Sequence, residues 1–203
     1  MINLDLKIPF DYLYLISQLR GYSRPRDKIT QLLRKGELIR LSKGLYIARD
    51  TQHPFLQEII ATMLYGPSYI SLEYTLAHYQ MIPESVKIVT SVTTQKPKVY
   101  DTPVGRFQYR HIRQPLFHLG LEHQNTPEGG FWLAGREKAL CDTVYYSQAQ
   151  ISALTVEAYL YEDMRMDMAE LKSLDKALLK QFGMVYRSAP VKTVTDFLTG
   201  GEG

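Results

Sequence analysis

The chain has 203 residues, 45% hydrophobic and 11% aromatic, which supplies a packed core for one or two domains and excludes a disordered or fibrous protein. Its formal charge of +3 is unevenly placed: residues 1–50 hold ten Lys and Arg against five Asp and Glu, and residues 51–203 hold fourteen against sixteen. A first segment of +5 beside a remainder of −2 fits one module that meets a polyanion and another that meets something else.

The N-terminal stretch MINLDLKIPFDYLYLI is broken by Asp5, Lys7 and Asp11, unlike the apolar core of a signal peptide, and no uninterrupted apolar run is long enough to span a bilayer. The expected location is cytoplasmic, with no membrane partner. From Pro9 to Leu19 apolar residues recur as Phe10, Leu13, Ile16 and as Tyr12, Leu15, Leu19, which predicts a helix that Gly21 ends. A second helix runs from about Arg24 to Lys35. Pro25 suits its first turn, Ile29, Leu32 and Leu33 form one stripe, and Gly36 follows the cationic last turn as a left-handed stop. With that stripe inward, Arg24, Asp27, Lys28, Gln31, Arg34 and Lys35 point outward, while Arg26 sits on the flank of the buried face.

After Gly36 the period changes from helical to alternating. Ile39 and Leu41 share one face with Arg40 opposite, and Leu45 and Ile47 share a face with Tyr46 opposite. Lys43-Gly44 supplies the tight turn, with Lys43 as the cation at its tip. Helix, turn, helix and hairpin is the order of a winged helix-turn-helix, expected over residues 1–50. A helix of this kind fits the DNA major groove, where Gln31 is the best candidate to read a base. Arg24, Lys28, Arg34, Lys35, Arg40 and Lys43 complete the expected DNA-binding set, with Arg34, Lys35 and Lys43 as phosphate contacts that give affinity and register.

Asp50 to Pro54 reads as a connection, and residues 51–203 as an α+β domain with a small sheet and several helices. Its expected elements are a helix over Phe55 to Tyr65, an extended piece at Tyr69-Ile70, and a helix capped by Ser71 that reaches Gln80. Strands follow over Val86 to Thr93, Arg106 to Ile112 and Phe131 to Ala134, the first two as a hairpin or as neighbours. A helix over Arg136 to Tyr146 carries an apolar face of Ala139, Leu140, Thr143 and Val144, and Lys138 to Asp142 has the i, i+4 spacing of a modest surface ion pair. Helices are expected over Val156 to Met164, Leu171 to Phe182 and Val191 to Leu198, with a fraying tail from Thr199 to Gly203.

The ordered run RKGELIRLSKGLYI, GPSYISLEYTLAHYQMIPE, VKIVTSV, GRFQYRHI and REKALCDTVYY resembles the AbiEi-like antitoxins of type IV abortive-infection toxin-antitoxin systems, over roughly residues 10–147. The resemblance implies an N-terminal winged helix-turn-helix that represses its own operon by binding repeated promoter sites. It also implies a C-terminal domain that counteracts a nucleotidyltransferase-like toxin, the product of an adjacent gene, without a stable antitoxin-toxin complex. Double-stranded promoter DNA and that toxin are the implied partners, with self-association on DNA. No catalytic step and no cofactor are expected.

Other chemistries find less support. His111, His118 and His123, with Glu122, lack the spacing of a closed metal site, so no metal is expected. Glu170-Leu171-Lys172 has the local letters of a nuclease site but lies in a helical segment. Cys141, the one cysteine, excludes an intramolecular disulfide and sits where core packing explains it. Gly129-Gly130 lacks the following helix and Lys of a phosphate loop. Tyrosines such as Tyr12, Tyr74 and Tyr145 fall on helical faces rather than on a base-stacking platform. The alternatives carried forward are a nucleic-acid-processing enzyme, whose winged domain only delivers a catalytic α+β module, and a protein-interaction module.

Overall fold

The computed structural model describes residues 8–49 and 56–200, so the connection from Asp50 to Pro54, the expected helix start at Phe55 and the last three residues of the tail lie outside the described residues. The fold is α+β, with two sheets and several helices.

Strand β1 is short, Phe10–Asp11, and helix α1 covers Tyr12–Gln18. The expected helix therefore starts later than Pro9. Asp11 is its N-cap, accepting from the Tyr14 amide at 2.7 Å, and Phe10 pairs instead with Tyr46. The buried side of α1 is Leu15 with Leu19, whereas Leu13 of the other stripe is 75% exposed. Helix α2 spans Pro25–Lys35 and ends at Gly36 with φ 69°, as expected. Strands β2 (Leu38–Ser42) and β3 (Leu45–Ala48) pair antiparallel, and Gly44 takes φ 86° in their turn. The sheet order is β1-β3-β2.

This hairpin is covered on both faces. Leu38 and Tyr46 pack with Phe10, Leu15, Leu19, Ile29 and Leu32 on the helical side. Ile39, Leu41 and Ile47 belong to a second apolar cluster with Ile59, Ile60, Ile70, Phe107 and Phe131.

That cluster lies between the hairpin and a larger sheet. Helix α3 covers Gln57–Leu64, followed by β4 (Ser68–Ile70), α4 (Leu72–His78) and β5 (Val89–Thr93). Residues 86–88 of the expected strand are not part of it. Next come β6 (Lys98–Thr102), β7 (Gly105–His111), a short α5 (Gln114–Phe117), β8 (Leu121–Thr126) and β9 (Gly129–Ala134). The order is β6-β7-β5-β4-β9-β8; β5 and β7 are parallel neighbours, and β6 is the hairpin partner of β7. In β7, Phe107 and Tyr109 face inward as the alternation predicts, but His111 at the strand end is exposed. Sequence reading missed α5, β6 and β8, the last because LEHQNT is mostly polar, as an outer strand can be.

Helix α6, Arg136–Tyr146, has the predicted bounds and lies on the opposite face of the sheet from α3. The remaining helices pack around it. Helix α7 (Val156–Ala158) continues as a π-helical turn over Tyr159–Asp163; α8 is Met168–Lys172, α9 is Lys176–Val185 and α10 is Ala189–Thr199. The single helix expected over Leu171 to Phe182 is divided, because the Asp175 carboxylate accepts from the amides of Ala177 and Leu178 and starts a new helix.

The expected surface pair Lys138–Asp142 is instead fully buried, both side chains having 0% exposure. Helix α6 is enclosed by the sheet, α4, α9 and α10, so its polar turn has no solvent face. The Lys138 ammonium donates to Asp142 Oδ1 at 2.9 Å, the Leu116 carbonyl at 3.0 Å and the Tyr186 hydroxyl at 2.6 Å. Asp142 also accepts from Tyr186, from Tyr69 at 3.0 Å and from Ser71 at 2.7 Å. All three ammonium protons and both carboxylate oxygens are used, which makes this buried pair tolerable. Ser71, expected to cap α4, makes no side-chain capping bond and serves Asp142 instead.

Removing one partner strands the other charge, so Asp142→Ala should cost about 3–5 kcal/mol in equilibrium denaturation, and Lys138→Met with Asp142→Leu together should cost much less. Equal losses would contradict this. Burial, then the Asp142 carboxylate, raises the Tyr69 and Tyr186 phenols well above their ordinary value. Below about pH 10 folded and unfolded chains both keep these phenols neutral and the stabilisation is complete; above it the unfolded chain ionises first, so stability falls as pH rises. Tyrosinate absorbance should therefore appear in two stages, the second coincident with unfolding.

Candidate nucleic-acid interface

Helix α2 is anchored by two local signals, Pro25 in its first turn and left-handed Gly36 at its end, where the Glu37 amide returns to the Leu32 carbonyl at 3.0 Å. Buried Ile29 and Leu32 fix its rotation against the hairpin. Opposite them, at successive spacings of four and three, Asp27, Gln31 and Arg34 form the outermost line, all exposed. Arg24, Gln31 and Lys35 are also exposed along the neighbouring ridge, but Lys28 on that ridge is half-buried. Arg26, expected on the flank of the buried face, is exposed.

Lys28 is tied down from two sides. Its ammonium lies 5.2 Å from the Tyr22 ring centroid and donates to Gln31 Oε1 at 3.1 Å. That bond orients the Gln31 amide and directs its NH₂ donors away from Lys28. Such a placement suits a base acceptor in a groove. Arg24 and Asp27 stand 3.8 Å apart, and Lys35 and Glu37 3.7 Å apart; both pairs are more than half exposed, so they hold their cations only weakly. Asp27 in the first turn and Arg34 and Lys35 in the last also complement the helix dipole.

The hairpin contributes Arg40 and Lys43, both exposed. Arg40 stands opposite Tyr46, on the face turned toward the helices, and its Nε donates to the Ser42 carbonyl at 3.3 Å. Lys43 is at the tip, and the turn is fastened to α1 by the Tyr12 amide, which donates to the Gly44 carbonyl at 3.0 Å. Sequence reading missed Arg49. Its amide bonds the Glu37 carbonyl at 3.0 Å, and its Nε lies 3.9 Å from where a Cβ on Gly36 would stand, which adds a cation at the end of α2. The signal for it was the pairing of Leu38 with Ala48, which carries the next residue back to that end.

The other sequence candidates are dispersed. His111 Nδ1 faces the Gln95 carbonyl at 3.0 Å, His118 packs on Phe117, and His123 on Trp132. Glu170 pairs with Arg136 at 2.9 Å, Leu171 is buried and Lys172 exposed. Cys141 is buried, and burial, with Asp142 next, pushes its thiol far above the ordinary value, so it is a poor nucleophile. Among the described residues no three His, Cys, Asp or Glu side chains gather as a metal set, and no helix is long and apolar enough to cross a membrane. No protein-family model matches the chain, and no curated protein matches it in sequence.

Proposed function

We propose that the chain is a cytoplasmic promoter-binding autorepressor and the antitoxin of a type IV toxin-antitoxin module. In this reading residues 1–50 act as a winged helix-turn-helix, with α2 as recognition helix and Lys43 at the wing tip, and residues 51–203 act against a nucleotidyltransferase-like toxin without a catalytic step. The observation that carries the DNA half is the exposed face of α2, where an oriented Gln31 amide stands among Arg24, Lys28, Arg34 and Lys35. Such a face offers base-edge hydrogen bonding beside phosphate contacts. The antitoxin half rests on the resemblance of the ordered motifs from RKGELIRLSKGLYI to REKALCDTVYY.

Because Ile39, Leu41 and Ile47 pack against the larger sheet, cutting the chain after residue 50 would expose them, and the two activities are better separated by surface variants of the full chain. Binding to the chain's own upstream DNA should be tight and salt-sensitive, and Gln31→Ala should weaken it by roughly ten- to a hundred-fold. Gln31→Ala with Arg34→Ala should abolish preference for that DNA and still rescue cells that express the adjacent gene. Unchanged affinity in the double variant overturns the recognition helix; loss of rescue in a folded variant overturns the division of labour.

A further inference from the structure

Helices α9 and α10 carry a groove that neither the face of α2 nor the buried Lys138–Asp142 pair accounts for. They are joined through Tyr186, Arg187 and Ser188 and pack closely, since a Cβ on Gly183 would stand 2.4 Å from Thr195 Oγ1. Beside that contact opens a cavity of about 630 Å³, within the roughly 300–1,000 Å³ of small-molecule sites. Lys180, Met184 and Arg187 line it from one face of α9 and its end, and Ala189, Lys192 and Asp196 line it from one face of α10.

Its two ends differ. At the link between the helices stand Arg187, Lys192 and Ser188, whose hydroxyl makes no capping bond although it is the N-cap of α10. Lys192 is paired with Asp196 one turn along, but its side chain is 66% exposed, so water screens the pair. Arg187 has a left-handed φ of 50°, a value that residues with side chains seldom take. Its backbone is held there: the Tyr186 carbonyl accepts from Arg113 Nη2 at 2.6 Å, and the Tyr186 hydroxyl is bonded to Lys138 and Asp142. A guanidinium so fixed matches phosphate oxygens with parallel N–H bonds.

Further along the groove Met184 is 73% exposed, and its thioether offers an aromatic ring a favourable sulfur contact. Arg187 and Lys180 are two helical turns, about 10 Å, apart. The groove is therefore elongated, cationic at one end and apolar in the middle.

We propose that this groove binds a nucleoside triphosphate, with the phosphates on Arg187, Lys192 and Ser188, the base on Met184, Asp196 accepting from sugar hydroxyls and Lys180 beside the base edge. Occupancy stabilises the fold, because the ligand binds the native helical hairpin and not the unfolded chain.

The test uses the full chain without added divalent metal. ATP, GTP, CTP, UTP, inorganic triphosphate and the free nucleosides are titrated singly by calorimetry, with Tm and amide resonances as further readouts. At least one nucleoside triphosphate should bind, raise Tm and shift the amides of Gly183 and Ala189, and inorganic triphosphate and the nucleosides should bind about tenfold more weakly or worse. Arg187→Gln with Lys192→Gln should weaken the nucleotide by about tenfold or more, and Met184→Ala should weaken it while leaving inorganic triphosphate unchanged. Gln31→Ala with Arg34→Ala should bind it as the parent does, which separates this groove from α2. Four results overturn the proposal: no binding of any of the four nucleotides, unchanged affinity in an Arg187→Gln, Lys192→Gln variant that melts like the parent, equal affinity for inorganic triphosphate, or displacement of the nucleotide by promoter duplex, which would make the groove a contact for polymer phosphates.

Discussion

A hairpin of two short strands has little stability of its own, and here both of its faces are apolar and covered. Leu38 and Tyr46 complete the small core under α1 and α2, and Ile39, Leu41 and Ile47 complete the core between α3 and the larger sheet. Because strand side chains alternate, a slip of one residue would turn each set toward the wrong core, so the register of Ile39 opposite Ile47 is fixed by two cores at once. The orientation of α2 relative to the larger sheet follows from this shared layer. An exposed Gln31 or Arg34 is consequently presented from a base held by both cores.

On the other face of the large sheet, order comes from charge rather than from apolar contact alone. Lys138 and Asp142 tie β4, the loop into α4, α5, α6 and the end of α9 through Tyr69, Ser71, Leu116 and Tyr186. Those partners come from three separate stretches of the chain, so the pair fastens distant segments to α6.

Sequence reading found what short-range chemistry controls. Pro25 and Gly36 bound α2 locally, and the outward placement of Gln31 and Arg34 follows from helical period alone. The bounds of α6 were also legible. What was not legible depended on partners distant in sequence: an i, i+4 Lys–Asp pair looks the same on a surface as in a core, and only Tyr69 and Tyr186 decide between them. Strand β8 is polar because it stands at the sheet edge. Lys28 reads as outward until Tyr22 and Gln31 are seen to hold it, and Arg49 joins the end of α2 only through the register of β2 on β3. For function the sequence offers a resemblance and a pattern of charge.

The claim on which this account depends is that the hairpin belongs to both cores. Native-state hydrogen exchange tests it directly, by comparing amides of Tyr46 and Ile47 in the hairpin with those of Val92 and Phe107 in the larger sheet. The account predicts that these amides exchange through one global opening with the same free energy and the same denaturant dependence. A lower-energy opening that releases the hairpin with α1 and α2 while the larger sheet stays protected would contradict it.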